Sequence, residues 1–267
     1  MLLVCPLTSR PDVYNAEFWR ILAGNLAMLQ DFGTGKPNII VPTIFASALW
    51  SLHYEWWFYI LYFPIKTRVE ESNQSRLVGG LSISAALIYI FLPYAIPRLI
   101  MYFTIWWIGV EMGRSCMAKG RVVALDIRTS LGAAFAVSCI LTIQCLREHT
   151  QLNMGVHPFL EPRHFIAAIA AVGTALIWQK AKWKGFNALK VGVFIAPISY
   201  SLYIAHQPLL AEAHYLAWIG NPWVRYLGYA SILLLFCIIT ELKINPILKV
   251  FALRLSQGNA PPSPPSS

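Results

Sequence analysis

The run Ala48–Pro64 (ALWSLHYEWWFYILYFP) sets an acid and an imidazole, Glu55 and His53, among apolar and aromatic side chains. Burying an unpaired carboxylate in hydrocarbon costs at least about 2.5–3.5 kcal/mol, so Glu55 is expected to face a partner or a wet cavity. Helical spacing puts Ser51, Glu55, Tyr59 and Tyr62 on one stripe of this segment, with His53 off it. An acid in that position serves a reaction or ligand site, or acts as hydrogen-bonded glue between helices. His53, beside tyrosines, reads as a packed and satisfied side chain. A second run, Ile198–Leu210 (ISYSLYIAHQPLL), holds Tyr203 and His206 at i, i+3 with Ser199 one turn earlier. Pro208 should loosen its turn and free a carbonyl, as happens where helices line cavities. His149, His157 and His164 gather in or beside the loop Arg147–Arg163, but their spacing matches no metal motif and no cysteine joins them, so no metal is expected. The chain has no Walker loop, no G-x-S-x-G and no G-x-G-x-x-G after a strand, which sets aside the templates of soluble enzymes.

The elements that must position these groups are bilayer helices. Of 267 residues 57% are hydrophobic and 12% charged, and the mean hydropathy is +0.55, far from the roughly one-quarter charged residues of a soluble domain. The apolar runs are continuous rather than alternating, so the fold class is all-α: a polytopic membrane protein of about seven transmembrane helices plus a short N-terminal apolar helix, Phe18–Gln30. The crossings are expected near Ile39–Tyr62, Leu77–Tyr94, Leu99–Gly113, Ser130–Leu146, Phe165–Gln179, Val191–Leu210 and Trp223–Thr240. Phe18–Gln30 is too short to span; it is either the end of a helix beginning before Met1 or an interfacial helix.

The net charge of +9 comes from basic residues lying between apolar runs, which argues against a nucleic-acid partner. When the connections are ordered by parity, fourteen Lys and Arg fall on the side that includes Lys180–Lys190 and the C-terminus, and seven fall on the other. The richer side should be cytoplasmic. The reading is a single membrane domain, residues 1–255, followed by a Pro/Ser-rich disordered cytoplasmic tail, 256–267. The five cysteines form no C-x-x-C pair and read as small buried hydrophobes.

Trp50-Ser51-Leu52-x-x-Glu55-x-x-Phe58-Tyr59 resembles the central helix motif of the acyltransferase-3 family of multi-pass O-acyltransferases. Ile198-Ser199-Tyr200-Ser201-x-Tyr203-x-x-His206-x-Pro208 is similar to the penultimate helix of that family, and Asn25–Gln30 to the stretch before its Trp-Ser-Leu helix. The resemblance runs in the family's order from about residue 18 to about residue 251. It implies a membrane enzyme, in the plasma (inner) membrane, that moves an acyl group, often acetyl from acetyl-CoA, onto a carbohydrate or lipid-linked glycan hydroxyl of the cell envelope. It also implies roles. A base would deprotonate the hydroxyl as it attacks the thioester carbonyl, and donors would stabilise the oxyanion. Glu55 would orient the base or the hydroxyl, Ser51, Tyr59 or Tyr203 would give hydrogen bonds, and His206 belongs to the second motif.

The family's first helix carries an essential His with an Arg upstream, and an Arg-x-x-Arg segment follows; this sequence has neither, so no position takes those roles. Members have ten crossings with both termini cytoplasmic, and seven crossings ending inside fit that plan if three are absent. The expectation is a shortened copy, or a chain whose true start lies upstream. Basic loops such as Lys180–Lys190 could attract CoA phosphates, although topology already explains them. Two competing classes stand beside the enzyme: a transporter using intramembrane Glu55 and His206 as a proton or ligand path, and a non-catalytic remnant. The sequence shows no internal repeat of the kind that would favour the transporter.

Overall fold

A computed structural model of the protein describes residues 16–31, 33, 35–43, 49–148, 153–181, 195–211 and 214–258. Two compact units divide the chain, residues 1–183 and 184–267. The first holds α1 (Ala16–Leu26), a parallel pair of two-residue strands, β1 (Gln30–Asp31) and β2 (Val41–Pro42), and then α2 (Trp50–Arg68), α3 (Glu71–Phe91), α4 (Ala95–Lys119), α5 (Ala124–Glu148) and α6 (Leu160–Ala181). The second holds a 3₁₀ turn (Ala196–Ile198), α7 (Ser199–His206), a π-turn (Gln207–Ala211), α8 (Pro222–Ile239), a second π-turn (Thr240–Ile244) and α9 (Asn245–Gly258).

Local chemistry explains the boundaries. The first crossing does not begin at Ile39, because Pro42 cannot donate within a helix and its segment pairs instead with Gln30 and Asp31; the helix begins at Trp50. In α1 the apolar run closes after 11 residues, too few to cross. Gly120, at φ 67°, caps α4 in the left-handed conformation, and Asn221 caps α8 by accepting from the backbone N–H of Trp223 and Val224, with Pro222 at the first helical position. Pro208 sits inside a π-turn, where the regular ladder is already interrupted. α9 continues to Gly258, so the helix extends three residues into the expected tail; the rest of that tail lies outside the described residues.

Among the described residues, four stretches are long and apolar enough to cross a membrane: Glu71–Phe91, Arg128–Arg147, Leu160–Ala181 and Pro222–Phe251. They coincide with four of the seven expected crossings. At 19 and 25 residues, α2 and α4 also have the length, but α2 is rich in Trp and Tyr, whose N–H and O–H groups make it less apolar, and α4 carries Arg98, Glu111 and Arg114. For Val191–Leu210, residues 191–194 lie outside the described part. The chain is a helical protein of multi-pass membrane type.

Short turns make α3, α4 and α5 successive antiparallel neighbours. Their shared core is built from Val78, Ala85, Ala86, Met101, Phe103, Trp107, Ile108, Ala134, Val137 and Leu141. Gly79 lets α3 approach α5 closely: a Cβ there would stand 3.0 Å from that of Ala133. Large aliphatic side chains such as Leu81, Ile88, Ile143 and Ile177 are instead exposed, the pattern of helices meant to face lipid. In the second unit Ile198, Ala205, Leu233 and Cys237 pack together, and Glu241, on the second π-turn, accepts from Ser201 Oγ at 2.8 Å and Asn245 Nδ2 at 2.7 Å.

Where α4 hands over to α5, Lys119 Nζ lies 2.6 and 2.7 Å from the two oxygens of Asp126. The Lys119 hydrogen bonds, followed by that from Ser115, hold the Asp126 carboxyl below its ordinary range. A depressed folded-state pKa stabilises the protein above the unfolded value, about 3.9, and that contribution is lost as pH falls through the folded value. Thermal unfolding in detergent should therefore show a drop below about pH 4 that is shallower in Asp126→Asn; identical acid profiles would deny the pair a role.

Candidate functional site

At the end of the first unit where α2, α4 and α6 begin, the segment after α1 lies over the helices. Met28 turns through φ 52°, and its carbonyl accepts from His53 Nδ1 at 2.7 Å and Trp57 Nε1 at 2.8 Å. Asn25 Nδ2 bonds the Pro42 carbonyl at 2.8 Å. His53, buried, is a structural tie.

The same segment delivers a carboxylate and an ammonium into the protein. Asp31 Oδ1 takes Lys36 Nζ at 2.7 Å, and Oδ2 takes Tyr54 OH at 2.9 Å and Arg98 Nη2 at 3.1 Å. Arg98 is fully buried and donates through every nitrogen: also to Tyr54 OH at 3.2 Å, to the Pro37 carbonyl at 2.9 Å and to Tyr89 OH at 3.4 Å. Tyr89 passes its proton bond to Glu161 Oε1 at 2.6 Å, and Glu161 Oε2 lies 3.2 Å from His157 Nδ1. The backbone N–H of His157 returns to the Gly35 carbonyl at 2.7 Å. Gly35, at φ 88°, is required there, since a Cβ would stand 2.6 Å from the carbonyl oxygen of Gly155. Two cations and two carboxylates thus balance inside the bundle. Burial pushes the Lys36 ammonium down, against the pull of Asp31, and its Nζ also stands 3.7 Å from the Trp50 ring centroid.

Beside this network, α2, α4 and α6 border a groove of about 360 Å³ lined by Trp50, Ser51, Tyr54, Phe58, Tyr102, Ile105, Trp106, His164 and Ala167. It is mostly aromatic, and the lining residues that carry a proton-exchanging group are Ser51, His164 and the phenols Tyr54 and Tyr102. His164 Nδ1 lies 2.8 Å from Tyr102 OH, and Arg163 Nη2 lies 3.3 Å from Nε2. Because a guanidinium only donates, Nε2 is the acceptor nitrogen and Nδ1–H donates to the phenol. The imidazole is therefore held at both nitrogens, and it becomes an oriented base when the exposed Arg163 side chain gives up the Nε2 lone pair.

A family model described as an acyltransferase domain, that of acyltransferase-3, matches residues 3–242. The chain belongs to this acyltransferase family. No curated relative and no solved structure matches it. The matched residues run through both units, so the acyltransferase region takes in both Trp-Ser-Leu and the Tyr203/His206 run.

Of the residues singled out from sequence, Ser51 lines the groove of the acyltransferase. Glu55 is exposed on α2 and, among the described residues, makes no hydrogen bond or ion pair. Tyr59, also exposed, stands edge-on to Trp106 at 5.5 Å. In the second unit His206 Nδ1 donates to the Tyr203 carbonyl at 2.6 Å, and the two rings are 6.0 Å apart. His157 and His164 have different partners, and His149 lies outside the described residues. Sequence reading passed over Asp31, Arg98 and Glu161 as site residues and weighed His164 only as a metal ligand. A signal was present for Arg98, Glu161 and His164: the expected crossings started at Leu99 and Phe165, whereas α4 and α6 start at Ala95 and Leu160. Windows opened four residues earlier would have marked Arg98, Glu161 and His164 as ionisable groups inside helices. Asp31, in a two-residue strand, gave no such signal.

Proposed function

We propose that this acyltransferase moves an acyl group, acetyl from acetyl-CoA, onto a hydroxyl of a carbohydrate or lipid-linked glycan of the cell envelope, and that the aromatic groove receives the acceptor. The single observation carrying the reading is that Ser51 of the Trp-Ser-Leu motif and an imidazole held by Tyr102, His164, both line that groove. The faces of Trp50 and Trp106 suit the C–H face of a sugar ring. Once the exposed Arg163 guanidinium has swung off it, His164 Nε2 takes the proton of the attacking hydroxyl, while Ser51 and a phenol donate to the oxygen on which charge develops at the thioester carbonyl. The thiol of the donor leaves, and the new ester stays on the glycan. Seven crossings in one membrane domain, a cytoplasmic C-terminus and residence in the plasma membrane complete the proposal, supported by the parity of the basic loops. Family membership favours transfer over transport.

The test is transfer of radiolabelled acetyl from acetyl-CoA to envelope glycan in membranes containing the protein. Ser51→Ala should lower the rate by about 10²-fold or more if its hydroxyl donates to the oxyanion. Glu55, Tyr203 and His206 stay in the proposal through their motif positions. Glu55→Gln is expected to abolish transfer; activity retained in that variant removes Glu55 from the site and leaves the groove alone.

A further inference from the structure

Beside the aromatic groove, α5, α6 and the segment between them border a second cavity, of about 390 Å³, walled by Thr142, Leu146, Met154, Phe159 and Ile166, with Arg163 the one charged residue described on it. Ala167 lines both the cavity and the groove, so the two meet across one turn of α6. Arg163 stands between them. Its exposed side chain belongs to the cavity wall and reaches the groove by resting Nη2 3.3 Å from His164 Nε2. That contact is long for a hydrogen bond. A neutral imidazole is also a weak partner for a guanidinium, whose planar fork matches a phosphate through two parallel charge-assisted bonds.

The rest of the wall suits hydrocarbon. Leu146, Met154 and Ile166 are half exposed or more, and a chain laid along them would cover that apolar surface. The depth order is that of a lipid. Arg163 lies in the first turn of α6 and Leu146 close to the end of α5, while Ala167 and Thr142 stand one turn farther into helices that are long and apolar enough to cross a membrane. The cation is therefore at headgroup level with apolar wall beneath it. A small soluble anion would leave that wall bare, and an uncharged chain would leave the guanidinium on His164.

We infer that the acceptor is carried on a phosphate-linked hydrocarbon chain, that the chain lies in this cavity with its phosphate on Arg163, and that the contact draws the guanidinium off His164 Nε2 while the sugar reaches the groove past Ala167. The inference rests on the acyl-transfer reading of the groove and narrows its acceptor to a lipid-linked glycan. Arg163 is then a positioning residue that sets specificity. Without a phosphate it covers the base; with one it holds the acceptor and frees the lone pair that takes the hydroxyl proton. The base is thus unmasked by the molecule that is to be acylated, which limits loss of the thioester to water.

The full chain, purified in detergent and stripped of lipid, is given a polyprenyl phosphate, the matching polyprenol or phosphatidylglycerol, and bound lipid is counted by native mass spectrometry. The polyprenyl phosphate should be held about tenfold or more tightly than either, the effect of one charge-assisted contact. Arg163→Gln should bring it down to the level of the polyprenol, and Arg163→Lys should keep part of the preference. Ile166→Trp, which fills the cavity and leaves the cation in place, should weaken retention too. Equal retention of phosphate and alcohol, or of polyprenyl phosphate and phosphatidylglycerol, overturns the inference. So does displacement of the polyprenyl phosphate by CoA at matched concentration, which would give the cation to the donor. Acetyl transfer then reads the base. With a polyprenyl-phosphate-linked sugar, Arg163→Gln should lower kcat/KM about tenfold or more; with the methyl glycoside of the same sugar, it should leave the rate unchanged or raised, because Nε2 is already clear. Equal losses on both acceptors would make Arg163 merely structural and overturn the inference. Absence of transfer to any acceptor in the unaltered chain would count against the acyl-transfer reading, and the retention measurements would then decide the phosphate site by themselves.

Discussion

Asp31→Asn is expected to destabilise the protein by about 3–5 kcal/mol, because it strands two buried cations at once. Lys36 and Arg98 both reach this carboxylate, and both are buried. Removing the anion leaves Glu161, reached from Arg98 only through Tyr89, as the remaining counter-charge of the network. The loss should be visible as an earlier transition in denaturant titration of the detergent-solubilised protein. Arg98→Met should cost less, since Lys36 still neutralises Asp31. On the Asp31→Asn background Arg98→Met should be milder still, or even restorative, because the cation it removes has already lost its partner. Strictly additive losses in the double variant would show that the two residues do not share the network. Arg98→Lys is not a conservative control: an ammonium cannot reach Asp31, Tyr54, Tyr89 and the Pro37 carbonyl together as the planar fork does.

The network bears on how the site is held. The segment after α1 has little secondary structure of its own, two pairs of residues in a parallel ladder. It stays in place because Asp31 and Lys36 are anchored inside the bundle, Met28 is tied to His53 and Trp57, and Gly35 lies against residues 155–157. Tyr54 joins the two regions, since its hydroxyl bonds Asp31 while its ring lines the aromatic groove. Trp50 joins them as well, lining the groove under the Lys36 ammonium, so a change in the charge network is expected to reach the groove through these two side chains.

The sequence made the helices legible because apolar runs of bilayer length are hard to satisfy in any other way, and α3, α5, α6 and α8 fell where hydropathy put them. Ser51 was legible through its motif. Arg98 and Glu161 were not, because a charge at the end of an apolar run looks like a loop residue until the helix is seen to start one turn earlier. The pairing of Asp31 with Arg98, 67 residues apart, has no local signature at all. Periodicity reports which face of an element is buried and is silent about which charges meet there.

Among the residues that line the groove, the largest effect on activity is expected from His164→Asn, which should lower kcat for acyl transfer by about 10²–10⁴-fold, the contribution of a positioned base. Asparagine keeps a hydrogen-bonding group near Tyr102 OH but cannot take a proton from a hydroxyl. KM for the glycan should change little, because Trp50, Trp106 and Ser51 still form the groove wall. Tyr102→Phe tests the positioning separately. It removes the acceptor for Nδ1–H, 2.8 Å away, and leaves the base in place without the bond that fixes which nitrogen carries the proton. Its loss should be smaller, about tenfold, and confined to kcat. Transfer measured at saturating acetyl-CoA, with unfolding temperatures to confirm that each variant is intact, distinguishes these outcomes. A folded His164→Asn enzyme with undiminished kcat would remove the imidazole from the chemistry and, with it, the assignment of the groove as the acceptor site.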